Sequence, residues 1–72
     1  MTRSEHVRWC KQRALEYVAA GNLVQAITSM ISDLGMHEET AGLANIMAPF
    51  FIYELQNGTA ETIRHFIQGF TE

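Results

Sequence analysis

Cysteine is almost absent from this sequence, in which Cys10 is the only one. A single cysteine excludes an intramolecular disulfide, and with it the small secreted scaffolds that disulfides hold together. A structural zinc site is also disfavoured, because such sites use four ligands that are rich in cysteine. His6 and Cys10 have the spacing of two ligands on one helical turn, but no second pair accompanies them. We therefore expect neither a metal nor any other cofactor.

Long apolar runs and glycine-rich loops are missing as well. The longest apolar stretch, residues 41–53, is interrupted by Gly42, Asn45 and Pro49, and it is too short to span a bilayer. The five glycines are scattered rather than gathered into a phosphate-binding loop. No serine or cysteine has a histidine and a third orienting group at a spacing that predicts a nucleophile. The sequence thus predicts a soluble, cytoplasmic protein without enzymatic activity.

Charged residues are also scarce, at 18% of the chain, and they are unevenly distributed. Residues 1–20 carry four cations and two carboxylates, whereas residues 21–72 carry one cation and six carboxylates. The four cations belong to the predicted first helix and are Arg3, Arg8, Lys11 and Arg13. A duplex-binding protein normally presents one basic face, and these four side chains do not share a face. Nucleic acid is therefore an unlikely partner, and binding through this helix is only the alternative function.

Helical periodicity, by contrast, extends over nearly the whole chain, of which 47% is hydrophobic. Thr2 followed by Glu5 has the spacing of a capping box, which predicts the start of the first helix. Gly21 predicts the end of that helix, and Asn22 predicts the cap of a second helix over residues 23–34. Because the connection between them is short, we expect these two helices to form an αα-hairpin.

The second helix has a clear division between apolar and polar residues, and Gly35 is predicted to end it. The residues predicted to face the core are Leu23, Ile27, Met30, Ile31 and Leu34. Those predicted to face solvent are Gln25, Thr28, Ser29, Ser32 and Asp33.

The third helix is predicted over residues 38–56, with Pro49 inside it. Proline removes one backbone hydrogen bond and clashes with the carbonyl of Asn45, so we expect a kink or a split near this position. A fourth helix, capped by Thr59, follows. The predicted fold class is all-α: a compact bundle of about four short helices in one domain, residues 1–72.

Two surfaces look incomplete in a monomer. The third helix is apolar nearly all round and needs burial nearly all round; its candidate interface residues are Leu43, Ile46, Met47, Phe50 and Phe51. The second surface is the one around Trp9, whose neighbours on the helix are polar. Trp9 and Arg13 are also residue types that are typical anchors of protein interfaces. Each surface also has an explanation within one chain. The other three helices could bury the third helix, and the Trp9 ring could fold over the edge of a helix with Arg13 stacked on it.

Two segments carry a resemblance: the opening residues 1–42, which include the block SDLGMHEETAG at residues 32–42, and the ending RHFIQGF at residues 64–70. In both, the chain resembles short proteins encoded by bacteriophages of actinobacteria. The likeness departs over residues 43–57. It implies a phage or prophage source and a location in the host cytoplasm, and it implies no activity, ligand or binding residue.

Together these observations predict a small non-enzymatic accessory protein that acts by protein–protein contact. A domain of this size buries only about 60% of the surface that its unfolded chain exposes, and such domains often need a partner subunit. We therefore expect self-association as a homodimer, a host protein as partner, or both.

Overall fold

The computed structural model describes residues 2–71, which form four α-helices joined by short connections. The helices are α1 (Arg3–Ala19), α2 (Leu23–Gly35), α3 (Glu38–Asn57) and α4 (Ala60–Gln68). No β-strand occurs between residues 2 and 71. The predicted all-α bundle is thus confirmed, while Met1 and Glu72 of the predicted domain lie outside the described residues.

The ends of α1 are set by the residues that predict them. Thr2 Oγ1 accepts a hydrogen bond from Glu5 N at 3.1 Å, and Glu5 Oε1 accepts one from Thr2 N at 3.1 Å. The hydrogen bond from the Thr2 backbone stabilises the charged carboxylate and lowers the pKa of Glu5. Gly21, with a φ of +78°, adopts the left-handed conformation that ends α1. Asn22 Oδ1 then accepts from Gln25 N at 3.2 Å, so that α2 begins at once and the hairpin forms.

α2 extends one residue beyond its predicted end. Gly35 is part of the helix, and the residue that caps it is Met36, in the right-handed conformation. Gly35 therefore does not act as a left-handed stop, unlike Gly21.

The buried side of α2 is also rotated from the predicted one. Ile27, Met30 and Leu34 are buried as predicted, but Ile31 is 39% exposed. Ser29 and Asp33, which the sequence places on the solvent face, are both buried. The Asp33 carboxylate bonds to Arg13 of α1, and the Ser29 hydroxyl bonds to Asp33 within α2.

α3 runs through Pro49 as one helix of 20 residues, so of the two expected outcomes the split does not occur. Pro49 lies on the exposed side of the helix, and so does Asn45, whose carbonyl loses its helical partner. Water can therefore hydrate that carbonyl, which removes the main cost of an unpaired backbone group.

One contiguous apolar core joins the four helices. Three aromatic rings close the end of the core between α3 and α4. The distances between ring centroids are 5.2 Å for Phe51–Phe66, 5.7 Å for Phe51–Phe70 and 5.5 Å for Phe66–Phe70. Lys11 Nζ donates to the carbonyls of Gln68, at 3.1 Å, and Phe70, at 2.9 Å. This cation satisfies carbonyls at the end of α4 and fastens α4 to α1.

Candidate functional site

The outward side of α3 carries a row of large apolar residues, which we call the outer stripe: Leu43, Ile46, Phe50 and Tyr53. Ile46 is 72% exposed, Phe50 is 57% exposed and Tyr53 is 62% exposed, while Leu43 is half-buried. Their spacing of three, four and three residues places them on one side of the helix. The outer stripe is therefore a continuous surface feature rather than a set of isolated side chains.

The outer stripe is exposed because the opposite side of α3 faces the core. Thr40, Ala44 and Phe51 are buried there, and the Thr40 hydroxyl donates to the Leu34 carbonyl at the end of α2. A helix on the surface of a bundle can bury only one side. Since α3 is apolar on both, one apolar side is left in water.

The outer stripe has about the area of the largest apolar patch on a typical monomer. A large aromatic side chain has about 150–250 Å² of surface, so Ile46, Phe50 and Tyr53 together leave roughly 350 Å² of apolar surface in water. The largest apolar patch on a typical monomer is about 300–600 Å², and it is often functional. No charged residue lies in the sequence between Glu39 and Glu54, so the row is not interrupted by charge.

A cleft of about 470 Å³ adjoins the outer stripe between α3 and α4. Its lining residues are Arg3, Leu43, Met47, His65, Phe66, Gly69, Phe70 and Thr71. Because Leu43 belongs to both features, the cleft extends the apolar surface of α3 towards α4.

The predicted interface residues on α3 fall into three groups in the structure. Ile46 and Phe50 are exposed, Leu43 and Met47 are half-buried at the cleft, and Phe51 is fully buried in the core. Phe51 thus offers no surface to a partner and is removed from the candidate site. Tyr53 was missed, although its position seven residues after Ile46 on a helix was the signal that could have found it.

Trp9 and Arg13 are brought together as a stacked pair. The Arg13 guanidinium carbon lies 4.8 Å from the centroid of the Trp9 ring, and the ring of His6 stacks on the indole at 5.9 Å. Trp9 is half-buried and packs against the core. This geometry is the intramolecular alternative that the sequence leaves open; an interface role for the pair remains a prediction.

The buried polar residues of α2 form a cluster with α1 around Asp33. Arg13 Nε donates to Asp33 Oδ2 at 2.8 Å, and Ser29 Oγ donates to the same oxygen at 3.3 Å. The ring of His6 bonds through Nε2 to the backbone carbonyl of Asp33 at 2.9 Å. The hydrogen bond that Arg13 donates to the Asp33 carboxylate stabilises the charged guanidinium and raises the pKa of Arg13 above its usual value. A buried carboxylate needs such partners, and they explain why α2 turns Ser29 and Asp33 inwards.

Cys10 has the environment of a packed side chain. It is fully buried, with Sγ 3.6 Å from His6 Nε2. Burial, reinforced by the negative charge of Asp33, raises the pKa of the thiol to about 11. A cysteine acts as a nucleophile or metal ligand as the thiolate, which this environment disfavours. Within the described part of the chain, no group of three or more His, Cys, Asp or Glu side chains is arranged to hold a metal ion.

We expect Cys10 to make the protein less stable as the pH rises from about 9 to 11. Above its ordinary pKa of 9.0 the thiol of the unfolded chain loses its proton, whereas the folded chain keeps it until about pH 11. The folded state then binds more protons, so the free energy of unfolding falls with rising pH. At about 1.4 kcal/mol for each pKa unit, the full effect is about 2–3 kcal/mol.

Urea unfolding across this pH range, in the wild type and in Cys10→Ala, measures the effect. The variant should lose less stability than the wild type between the same two pH values. Equal losses would show that the titration of other groups accounts for the whole dependence.

The four cations of the first helix have different surroundings. Arg13 is engaged with Asp33 and Trp9, and Lys11 with the end of α4. Arg8 also has an interaction within the protein, and Arg3 lines the cleft beside α3.

Comparison with known proteins adds no relative. No protein-family model, no curated protein and no solved structure matches the chain. In residues 2–71, none of the helices has the length and apolar character needed to cross a membrane. The class that fold and surface define is an all-α domain of four helices with one apolar helix face in water.

Proposed function

We propose that this protein is a non-enzymatic accessory protein that acts by protein–protein contact and associates with a second copy of itself. The observation that carries the proposal is the outer stripe, where Ile46, Phe50 and Tyr53 are each more than half exposed. Apolar surface in water is unfavourable by roughly 25 cal/mol for each Å². A partner that covers this row removes that cost.

The size of the chain supports the same proposal. A domain of 72 residues has a limited core, and no disulfide holds this one together because Cys10 is its only cysteine and is buried. Oligomerisation is one of the usual ways in which domains of this size gain stability.

The resemblance of both ends of the chain to short phage proteins supports a phage source and action in the host cytoplasm. A host protein is then the second class of partner. Nucleic acid has less support, because three of the four cations of the first helix already interact within the protein.

Light scattering coupled to size exclusion, over a dilution series, tests the proposal. We expect the wild type to form a dimer at high concentration, and Ile46→Lys to remain monomeric where the wild type is dimeric. The substitution places a charge in the interface of both subunits and removes two buried isoleucines from each dimer, which corresponds to a loss of affinity of about a hundredfold or more.

Val24→Lys is the matched control, since Val24 is also β-branched and is 62% exposed, but it lies on α2. It should dimerise as the wild type does. A wild type that is monomeric at every concentration contradicts self-association, and equal weakening by both variants contradicts the assignment of the interface to α3.

A further inference from the structure

The outer stripe has the spacing of a coiled-coil seam. The apolar residues of such a seam alternate between two positions of a seven-residue repeat, at steps of three and four residues. One position is occupied by Leu43 and Phe50, and the other by Ile46 and Tyr53. The same spacing continues outwards to Glu39 on the N-terminal side and to Asn57 on the C-terminal side, both exposed. The apolar seam is therefore two repeats long and ends in polar residues.

We propose that a second copy of this chain packs on the outer stripe with its own α3 antiparallel, so that Ile46 faces Phe50 of the partner subunit and Leu43 faces Tyr53 of the partner subunit. The inference rests on the proposed function and adds the orientation and the register of the contact. The two copies are then related by a twofold axis at the level of Ala48, which makes the interface self-complementary.

Charge favours the antiparallel orientation. α3 carries Glu38, Glu39 and Glu54 and has no lysine or arginine. A parallel pair would place Glu39 of one copy beside Glu39 of the partner subunit, with no cation on either helix to compensate. The antiparallel pair places Glu39 opposite Asn57 of the partner subunit, whose amide can donate to a carboxylate. In the antiparallel pair the two helix dipoles also point in opposite directions, which is the favourable arrangement.

The register follows from the length of the seam. In the proposed alignment each of the four residues of the outer stripe faces an apolar residue of the partner subunit. A shift by one repeat in either direction leaves two of the four facing polar residues or water. The proposed register therefore buries the most apolar surface.

The area of the contact predicts a reversible dimer. Roughly 350 Å² from the outer stripe of each copy gives about 700 Å² for the pair, and the half-buried side chains of Leu43 and Met47 extend it further. Stable interfaces bury about 1,200–2,000 Å² in total, and weak ones lie below that range. We therefore expect a dimer that dissociates on dilution.

Disulfide trapping distinguishes the orientations. Leu43→Cys and Tyr53→Cys are prepared as separate chains, mixed in equal amounts while reduced, and then oxidised. In the antiparallel pair position 43 of one copy lies beside position 53 of the other. Two copies of the same variant hold their new cysteines about 15 Å apart along the axis, ten residues at 1.5 Å each. A disulfide needs Cα atoms within about 7 Å.

We expect the mixed disulfide in the mixture and no covalent dimer from either variant alone; mass spectrometry separates the three species. The wild-type chain, whose Cys10 is buried, should give no covalent dimer and serves as the control. Disulfides within one variant, without the mixed species, would overturn the proposal in favour of a parallel pair.

Two other outcomes separate this inference from the proposed function. If the reduced variants are dimeric by light scattering but form no disulfide at all, the antiparallel contact is overturned and self-association stands. If the wild type is monomeric throughout, both are overturned. Should Leu43→Cys fail to fold, judged by its melting curve, Glu39→Cys with Asn57→Cys gives the same test at exposed positions, where like copies are about 27 Å apart.

Discussion

Phe51→Ala is expected to destabilise the protein by about 3–5 kcal/mol, as truncations of buried aromatic residues do. Phe51 is fully buried and contacts the rings of both Phe66 and Phe70. Alanine leaves a cavity between α3 and α4 and removes two aromatic pairs, each of which adds about 0.5–1.5 kcal/mol to simple burial. At about 0.05–0.15 kcal/mol per residue, a chain of this length has only about 4–11 kcal/mol of stability.

Phe50→Ala is the matched control for this change. Phe50 is the preceding residue of the same helix and has the same side chain, but it is 57% exposed. Thermal melts at a concentration where the wild type is monomeric should show a loss of less than about 1 kcal/mol for Phe50→Ala. Phe51→Leu, which keeps most of the volume but loses the ring pairs, should fall between the two alanine variants.

The comparison has a clear contrary result. Equal losses for Phe51→Ala and Phe50→Ala would mean that α3 does not present Phe51 to the core, and the outer stripe would then be misplaced as well. A loss for Phe50→Ala that appears only at high protein concentration would instead support the proposed dimer.

The boundaries of the helices could be predicted from the sequence because they depend on local chemistry. Thr2 with Glu5, Gly21 with Asn22, and Thr59 each act within a few residues of the helix end that they set. Gly35 is the exception, since nothing local distinguishes a glycine that ends a helix from one included in its last turn. At Pro49 the outcome depended on which side of α3 faces solvent, which is a property of packing.

The burial of Asp33 could not be predicted from the sequence, because Arg13 and His6, which bond to this residue, come from another helix. Periodicity assigns Ser29 and Asp33 to solvent on the ground that they are polar. Only the packing of α1 against α2 brings Arg13 within 2.8 Å of the Asp33 carboxylate and makes burial acceptable. For the outer stripe, by contrast, the sequence alone shows that α3 has more apolar residues than one buried side can hold. Only the structure shows which of these residues remain exposed.

The second large effect is expected from breaking the ion pair between Arg13 of α1 and Asp33 of α2. We expect the loss of stability to depend on which of the two residues is replaced. The side chain of Arg13 is 45% exposed and that of Asp33 only 5%. Arg13→Met, which keeps a long side chain over Trp9, leaves a buried carboxylate with only Ser29 as a side-chain donor. Breaking a fully buried pair costs about 3–5 kcal/mol; because water reaches the Arg13 side of this pair, we expect a loss below that range. Asp33→Ala leaves the half-exposed guanidinium, which water can hydrate, so its cost should be smaller.

A double-mutant cycle on melting or urea curves separates this cost from the loss of packing. The double variant Arg13→Met with Asp33→Ala should lose less stability than the two single losses added together, by about 1–3 kcal/mol, because neither charge is then left alone. Arg64→Met, at an exposed arginine of α4, is the control and should change stability by less than about 0.5 kcal/mol.

Additive losses for Arg13→Met and Asp33→Ala would show that the two residues do not interact. If Arg13→Met left the melting curve of the monomer unchanged but weakened association, Arg13 would be an interface anchor instead of the residue that neutralises Asp33.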